Sequence, residues 1–262
     1  MARSLIGGLL AGGTRSDEIW VSDPDQEQLN NISRNFAAHV SRSNDDVVKH
    51  ADIVLLAIKP QIMMQTAQAL AAPLQKKHPL VISIAAGIRL EHLARWLGPD
   101  IPVVRAMPNT PALVKSGATA LVANRLVTAQ QRNQAESILR AVGLTLWLDD
   151  ETLMDAVTAL SGSGPAYFFL VMEALEKAGE KLGLPADISR LLTLQTAFGA
   201  AKMALETTTD SAVLRRRVTS PGGTTEQAIK LLQDNHIEEL FTKALKAAHE
   251  RSIELARLLG EE

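Results

Sequence analysis

The sequence predicts an α/β protein in two parts: a doubly wound parallel sheet over residues 1–149, followed by an all-α domain over residues 150–262. Three observations carry this prediction. Short apolar runs alternate with helical patterns as far as Leu148, the rhythm of strands joined by crossover helices. After about Asp149 the strand pattern vanishes. Beyond it lie two long helical stretches that are apolar around most of their circumference.

In chain order, Leu5, Ile6, Leu9 and Leu10 mark one face of a helix that stops at Gly12-Gly13. Ile19-Trp20-Val21-Ser22 reads as a short buried strand, and Asp23-Pro24 opens the next helix. Ser43-Asn44, with Asp45 and Asp46, caps a short helix through His50. Ile53 to Ile58 is continuously apolar, as expected of a strand covered on both faces. A helix follows Lys59-Pro60, then a strand from Leu80 to Ile84. Further strands are expected near Val103-Val104 and Ala120-Leu121-Val122, a helix from Thr128 to Val142, and a strand from Thr145 to Leu148. In the second part, Pro165–Leu182 carries Tyr167, Phe168, Phe169, Leu170, Val171, Met172 and Leu175, and Pro185–Leu205 is rich in Leu and Ala. Helices without a polar face must be buried all round. So small a domain cannot bury two of them alone, and a homodimer sharing a helical core is expected.

Composition narrows the function. Hydrophobic residues make up 46% and charged residues 21% of the chain, which is ordinary for a soluble globular protein. A formal charge of −2 with interspersed signs argues against nucleic acid or an anionic membrane as partner. The absence of cysteine excludes disulfides, thiolate metal sites and a cysteine nucleophile. The six histidines, His39, His50, His78, His92, His236 and His249, have no H-x-x-x-H or H-E-x-x-H spacing, so no metal site is expected. No apolar run reaches the roughly 18 residues of a membrane span. The start, Arg3 followed by Leu5 to Ala11, imitates a secretory leader, but Gly7 and Gly8 break it; it reads as a helix of a cytoplasmic protein.

The chemistry concentrates in Val218-Thr219-Ser220-Pro221-Gly222-Gly223-Thr224-Thr225-Glu226. Pro221 cannot continue a helix, and the glycines permit backbone angles closed to other residues. Thr224 or Thr225 is expected to cap a new helix, with Ala228, Ile229, Leu231 and Leu232 at helical spacing. Free N–H groups converging at a helix start attract a carboxylate or phosphate. Taken alone, the same stretch is also compatible with a plain helix–loop–helix turn. Ser161-Gly162-Ser163-Gly164 is not a nucleophile elbow, because Ser163 has Ser161 and Pro165 where glycines are required.

Leu214 and the 218–225 stretch, then Ala228, resemble the signature of pyrroline-5-carboxylate reductase. So do Ala57-Ile58-Lys59-Pro60, Ser83-Ile84-Ala85-Ala86-Gly87, Ala106-Met107-Pro108-Asn109-Thr110-Pro111 and Leu160-Ser161-Gly162-Ser163-Gly164-Pro165-Ala166-Tyr167, in the family's order and spacing. The resemblance covers essentially the whole chain. It implies a Rossmann-type dinucleotide domain followed by a helical dimerisation and substrate domain, and reduction of 1-pyrroline-5-carboxylate to L-proline, the last step of proline synthesis. It also implies a homodimer, in some relatives a ring of dimers, in which the 218–226 loop faces the nicotinamide of the partner's sheet domain.

The resemblance further assigns site residues. Ala57, Ile58, Lys59 and Pro60 resemble the segment along the cofactor's phosphate and ribose, and Asn44 the asparagine at the adenosine side. Ala85, Ala86 and Gly87 look like the small-residue edge that admits the nicotinamide. Ser22 and Asp23 end the strand where the ribose is read; an acidic residue there usually bonds the 2′-hydroxyl. Family kinship favours NADPH, and Asp23 leaves NADH open. Ser220, Gly223, Thr224 and Thr225, with Asn109, are the candidate substrate contacts, and the Thr225 hydroxyl the candidate for orienting the ring nitrogen.

One piece of the pattern is not in the sequence. By resemblance Met1-Ala2 corresponds to residues just after the family's Gly-x-Gly-Asn, so the first strand and phosphate loop are absent from the 262 residues. The fold expected is therefore an incomplete Rossmann-type sheet with two unpaired strand edges at its centre. A late-placed start codon is the expected explanation; a truncated, non-catalytic or cofactor-impaired dimer of the same family is the alternative. A related imine or 2-oxo-acid reductase is a further one.

Overall fold

A computed structural model describes residues 1–261. The chain gathers into two compact units: Met1–Ser163 together with the chain from Ala248 onward, and Gly164–Ala247.

The first unit runs α1 (Ala2–Ala11), β1 (Trp20–Ser22), α2 (Gln26–Phe36), β2 (His39–Ser41), α3 (Asn44–His50), β3 (Ile53–Leu56), α4 (Met63–Lys77), β4 (Leu80–Ser83), α5 (Leu90–Leu97), β5 (Val103–Met107), β6 (Gly117–Ala123), α6 (Ala129–Arg140), β7 (Gly143–Trp147) and α7 (Met154–Val157). α7 continues into a π-helical turn over Thr158–Gly162. Strands β3, β4 and β5 are parallel neighbours, with Leu55 opposite Ile82 and Ile82 opposite Val104. Along β4 the residues alternate between two cores. Val81 joins Val54, Leu56, Leu70, Leu74, Leu93 and Leu97 on the α4–α5 side. Ile82 joins Leu5, Val104, Leu121, Ala135 and Leu139 on the α1–α6 side. Helices therefore cover both faces, and burying each such side chain contributes about 1.5–3 kcal/mol.

The sheet is mostly parallel, with one reversal. β6 runs antiparallel to β5, Ala106 opposite Leu121, and β7 is parallel to β6. The cause is connection length: between Met107 and Gly117 there is only a 3-10 turn over Thr110–Val114. A parallel crossover needs about a dozen residues or more. β1 and β2 form a separate parallel pair, Trp20 opposite His39, and share no ladder with the five-stranded sheet. Each of β1 and β3 thus has one edge without a hydrogen-bonded strand neighbour.

One helix start differs from the sequence reading, and a second is narrowed from Ser43-Asn44 to Ser43 alone. α2 is capped by Asp25 and not opened by Asp23-Pro24; Asp25 accepts from the Glu27 N–H at 2.8 Å, while Asp23 Oδ1 accepts the Asp25 N–H at 2.9 Å. α3 has Ser43 at its cap, and Asn44 lies inside the first turn. α6 begins where expected, and Thr128 and Gln131 close its start with a reciprocal capping box.

The second unit holds α8 (Gly164–Lys181), α9 (Ala186–Leu205), α10 (Ser211–Arg217), α11 (Thr224–Asp234) and the first part of α12 (Ile237–Glu261). α8 and α9 form a helical hairpin turned by Gly183 at φ 97°. Ser189 fastens it, donating to the Glu176 carbonyl at 2.8 Å. Phe168, Phe169 and Leu170 of α8 and Leu191 and Phe198 of α9 are each more than 60% exposed. A patch of that extent on one chain marks an association surface.

His92 of α5 offers a test of the first unit. Its Nδ1 accepts the Arg89 N–H at 3.3 Å, and its ring lies 5.7 Å from Trp96. Burial pushes the imidazole below its ordinary 6.5. The unfolded chain therefore takes up this proton first, so stability is complete above about 6.5 and falls as pH drops below it. Between about pH 7.5 and about pH 5.5 the wild-type Tm should fall further than that of His92→Gln, by about one or two degrees. Parallel Tm–pH curves would contradict this.

Candidate functional site

The residues that the resemblance assigns to the cofactor lie at or just beyond the carboxyl ends of parallel strands, the edge at which open α/β sheets hold ligands. At the end of β1, Ser22 Oγ donates to Asn44 Oδ1 at 2.6 Å, which brings the strand end and the start of α3 together. Asp23 is half-buried, one carboxylate oxygen engaged by the Asp25 N–H and the other without a hydrogen bond among the described residues. Ala57 and Ile58 continue β3, and Lys59 precedes a 3-10 turn begun by Pro60. Lys59 is exposed and makes no ion pair among the described residues. After β4, the Ala85 N–H donates to Ser83 Oγ at 3.4 Å, and Gly87 stands at φ 78°, a conformation L side chains rarely adopt. Ala85 and Gly87 are both buried, and a Cβ on Gly87 would meet Leu259 at 3.2 Å.

Asn109, a candidate substrate contact, has its amide fully engaged. Its Oδ1 accepts the Ala118 N–H at 2.9 Å, and its Nδ2 donates to the Ser161 carbonyl and hydroxyl at 3.2 and 3.3 Å. It ties the end of β5 to β6 and to the π-helical turn. There Gly162 lies so close to the Met107 methyl that a Cβ would meet it at 2.5 Å. Such π-turns concentrate at functional places.

In the second unit, the 218–226 loop joins α10 to α11. Thr219 Oγ1 donates to the Arg215 carbonyl at 2.7 Å, closing α10. Gly222 takes φ 72°, and the Gly223 N–H donates to the Ser220 carbonyl at 3.0 Å. The helix cap is Gly223, and neither threonine. The reason is Glu226, whose carboxylate reaches back to the Gly222 N–H at 2.8 Å and fixes the turn from inside the helix. Thr224 and Thr225 therefore lie in the first turn of α11. Their N–H groups have no intrahelical acceptor by position, and their hydroxyls and that of Ser220 bond to no group among the described residues. Gly223 contributes bare backbone, its own N–H being engaged. Glu226 is the residue sequence reasoning passed over. An acid in the first helical turn after Gly-Gly-Thr-Thr was the available signal. Arg215, Arg216 and Arg217 end α10 on an exposed face.

Among the described residues no cluster of three or more His, Cys, Asp or Glu gathers to hold a metal, and no helix is long and apolar enough to cross a membrane.

A sheet unit with its ligand edge built from small and polar residues, followed by a helical unit with an open donor loop, is the form of a nicotinamide-linked oxidoreductase. Family models agree. One described as NADP oxidoreductase, coenzyme F420-dependent, matches residues 1–87, and one for pyrroline-5-carboxylate reductase dimerisation matches residues 151–255. The pyrroline-5-carboxylate reductase of Pseudomonas aeruginosa is 56% identical over 100% of this chain and 95% of that protein. That of Escherichia coli K12 is 36% identical over 98% and 95%. Among solved structures, a pyrroline-5-carboxylate reductase from Coxiella burnetii superposes with TM-score 0.94 at 46% identity, covering 97% of this chain and 94% of that one. The Plasmodium falciparum enzyme with NADP bound gives 0.85 at 29%, with the same coverage. The chain belongs to the pyrroline-5-carboxylate reductase family.

The Glu226 brace is open to direct measurement. Replacing it by alanine removes a charge-assisted bond to Gly222, and the Gly222 amide should then exchange with deuterium at least about ten-fold faster. Unaltered exchange would remove Glu226 from the account of the loop.

Proposed function

We propose that this chain reduces 1-pyrroline-5-carboxylate to L-proline with hydride from NADPH, NADH serving as a second donor. Full-length kinship carries the reading: 56% identity to a pyrroline-5-carboxylate reductase from end to end of this chain. The donor loop supports it, since the substrate is a five-membered cyclic imine bearing a carboxylate.

The residues fit a nicotinamide dinucleotide. Ser22, Asp23 and Asn44 offer polar groups at the ribose side, Ala57 to Pro60 run along the phosphates, and Ala85, Ala86 and Gly87 admit the ring. When bound, the dinucleotide supplies the hydride. The chain's own residues bind and orient. The N–H groups of Thr224 and Thr225 and the Ser220 hydroxyl receive the substrate carboxylate at the positive end of α11. The Thr225 hydroxyl holds the ring nitrogen, whose protonation makes the imine carbon electrophilic. No covalent nucleophile is needed, and the rate comes from positioning. Gly223 allows the carboxylate to approach backbone, and Asn109 acts through the turn it ties.

Thr225→Ala should lower turnover about 10- to 1,000-fold, as for a lost positioning donor, with the circular dichroism spectrum unchanged. Unchanged steady-state kinetics would refute its role. The function itself is tested by adding 1-pyrroline-5-carboxylate and NADPH to the pure chain; no proline formed would sink it.

The assembly is a homodimer built on α8 and α9. Placing aspartate at both Phe168 and Phe169 should yield monomers in sedimentation velocity. The same experiment on the wild type distinguishes a dimer from a ring of dimers, and a wild-type monomer would overturn the assembly.

A further inference from the structure

The β4–α5 loop, residues 84–89, is held at its far end by groups that lie well away in the sequence. The Leu90 N–H, first of α5 and without an intrahelical acceptor, donates to Glu151 Oε1 at 2.9 Å. The same oxygen accepts from Arg105 Nη1 at 2.7 Å. Arg105 stands on β5, only 3% exposed, beside Ser83 of β4. A buried guanidinium demands a partner, so Glu151 is fixed in place by Arg105. Its charge meets the positive end of α5.

Two further groups hold the middle of the loop. Arg89 lies 3.7 Å from Asp155, itself buried and accepting from Ser252 Oγ at 2.6 Å. Beneath Gly87, the last helix supplies a floor: a Cβ on Gly87 would meet Leu259 at 3.2 Å and the Ala256 backbone at 3.7 Å. Ser83 fixes the loop's entry through the Ala85 N–H. None of these anchoring residues is itself one of those assigned to the nicotinamide. They determine where the backbone of Ala85–Gly87 stands.

We propose that Glu151, backed by Arg105, is a positioning residue for hydride transfer. It holds the Ala85–Gly87 backbone that sets the depth and tilt of the nicotinamide. This rests on the reductase reading above. A misplacement of about 1 Å at a reacting carbon can cost about 100-fold in rate. An anchor of this kind therefore acts on the chemical step and leaves binding of the imine untouched.

Three variants of the full chain test this. Glu151→Gln keeps an oxygen that can accept from the Leu90 N–H and from Arg105, though it leaves the guanidinium charge uncompensated. Glu151→Ala removes that oxygen but leaves Arg105 as an unpaired buried cation, which endangers folding. The double variant Arg105→Met/Glu151→Leu removes both charges together, so it loses the anchor without that penalty. For each, kcat, KM for 1-pyrroline-5-carboxylate and the isotope effect with NADPH deuterated at the transferred position are read, with amide exchange at Ala86–Ile88. Expected in the double variant is a kcat lower by about 10- to 100-fold and a KM within about two-fold. The isotope effect on kcat should rise, and loop amides should exchange faster. Glu151→Gln should stay within about three-fold of wild type in kcat. A folded double variant with wild-type kcat overturns the proposal, as does a raised KM at constant kcat, or loop amides that exchange as before. A wild-type chain that reduces no imine is a separate result: it overturns the reductase reading before any variant is made.

Discussion

A buried cation that must be paired governs the first unit. Arg105 sits in a strand whose neighbours Val103, Val104 and Ala106 are all apolar and buried. Leaving its guanidinium without a carboxylate would cost several kcal/mol. Glu151 answers from a 3-10 turn just beyond β7. That pairing forces the segment after the sheet back across it. Met154 is thereby packed on Ala120 and Val122, and Asp155 is brought to Ser252 of the last helix. One electrostatic requirement thus draws together β5, the start of α5, α7 and the end of α12. The ligand edge of β4 is built on that assembly.

The second unit obeys a different constraint. Its helices carry more apolar surface than the chain itself covers: Phe168, Phe169, Leu191 and Phe198 stay exposed although α8 and α9 pack closely enough for Ser189 to lie against Gly179. Exposed area of this kind is favourable only when another surface removes it from water. The match of residues 151–255 to a dimerisation domain gives the same physical reading. Polar capping and ion pairs on these helices, such as Lys177 with Glu173, are surface features and contribute little to stability.

Much of this was legible in the sequence, because periodicity is a local property. The strands expected over Ile53–Ile58 and Leu80–Ile84 and the helix expected from Thr128 are read from neighbours alone, and each is found, the strands ending at Leu56 and Ser83. What escaped was set at longer range. The reversal of β6 depends on how little chain joins it to β5, a matter of reach and not of residue type. Arg105 in an apolar strand hinted at a buried pair, but nothing local named Glu151, 46 residues away. The π-turn over Thr158–Gly162 likewise depends on the approach of Met107 and on Asn109 bonding Ser161. For Asn109 the sequence marked the loop after β5, while the partners that occupy its amide could be known only from the fold.

The helix start at Thr224 shows how a small departure from local expectation changes what a site can do. A threonine cap would turn its own hydroxyl inward onto an N–H two or three residues on, using one donor and one acceptor to close the helix. With Gly223 as cap and Glu226 bracing the Gly222 N–H, the turn is closed by backbone and by a carboxylate from within the helix. Both threonine hydroxyls stay available, next to N–H groups that no residue of the helix can satisfy. The start of α11 thus keeps unbonded N–H donors with two hydroxyls beside them. An acid placed at Glu226 would ordinarily weaken an anion site by repulsion. The bond from the Gly222 N–H leaves that charge in place, but it holds the carboxylate on the turn and off the donors of Thr224 and Thr225.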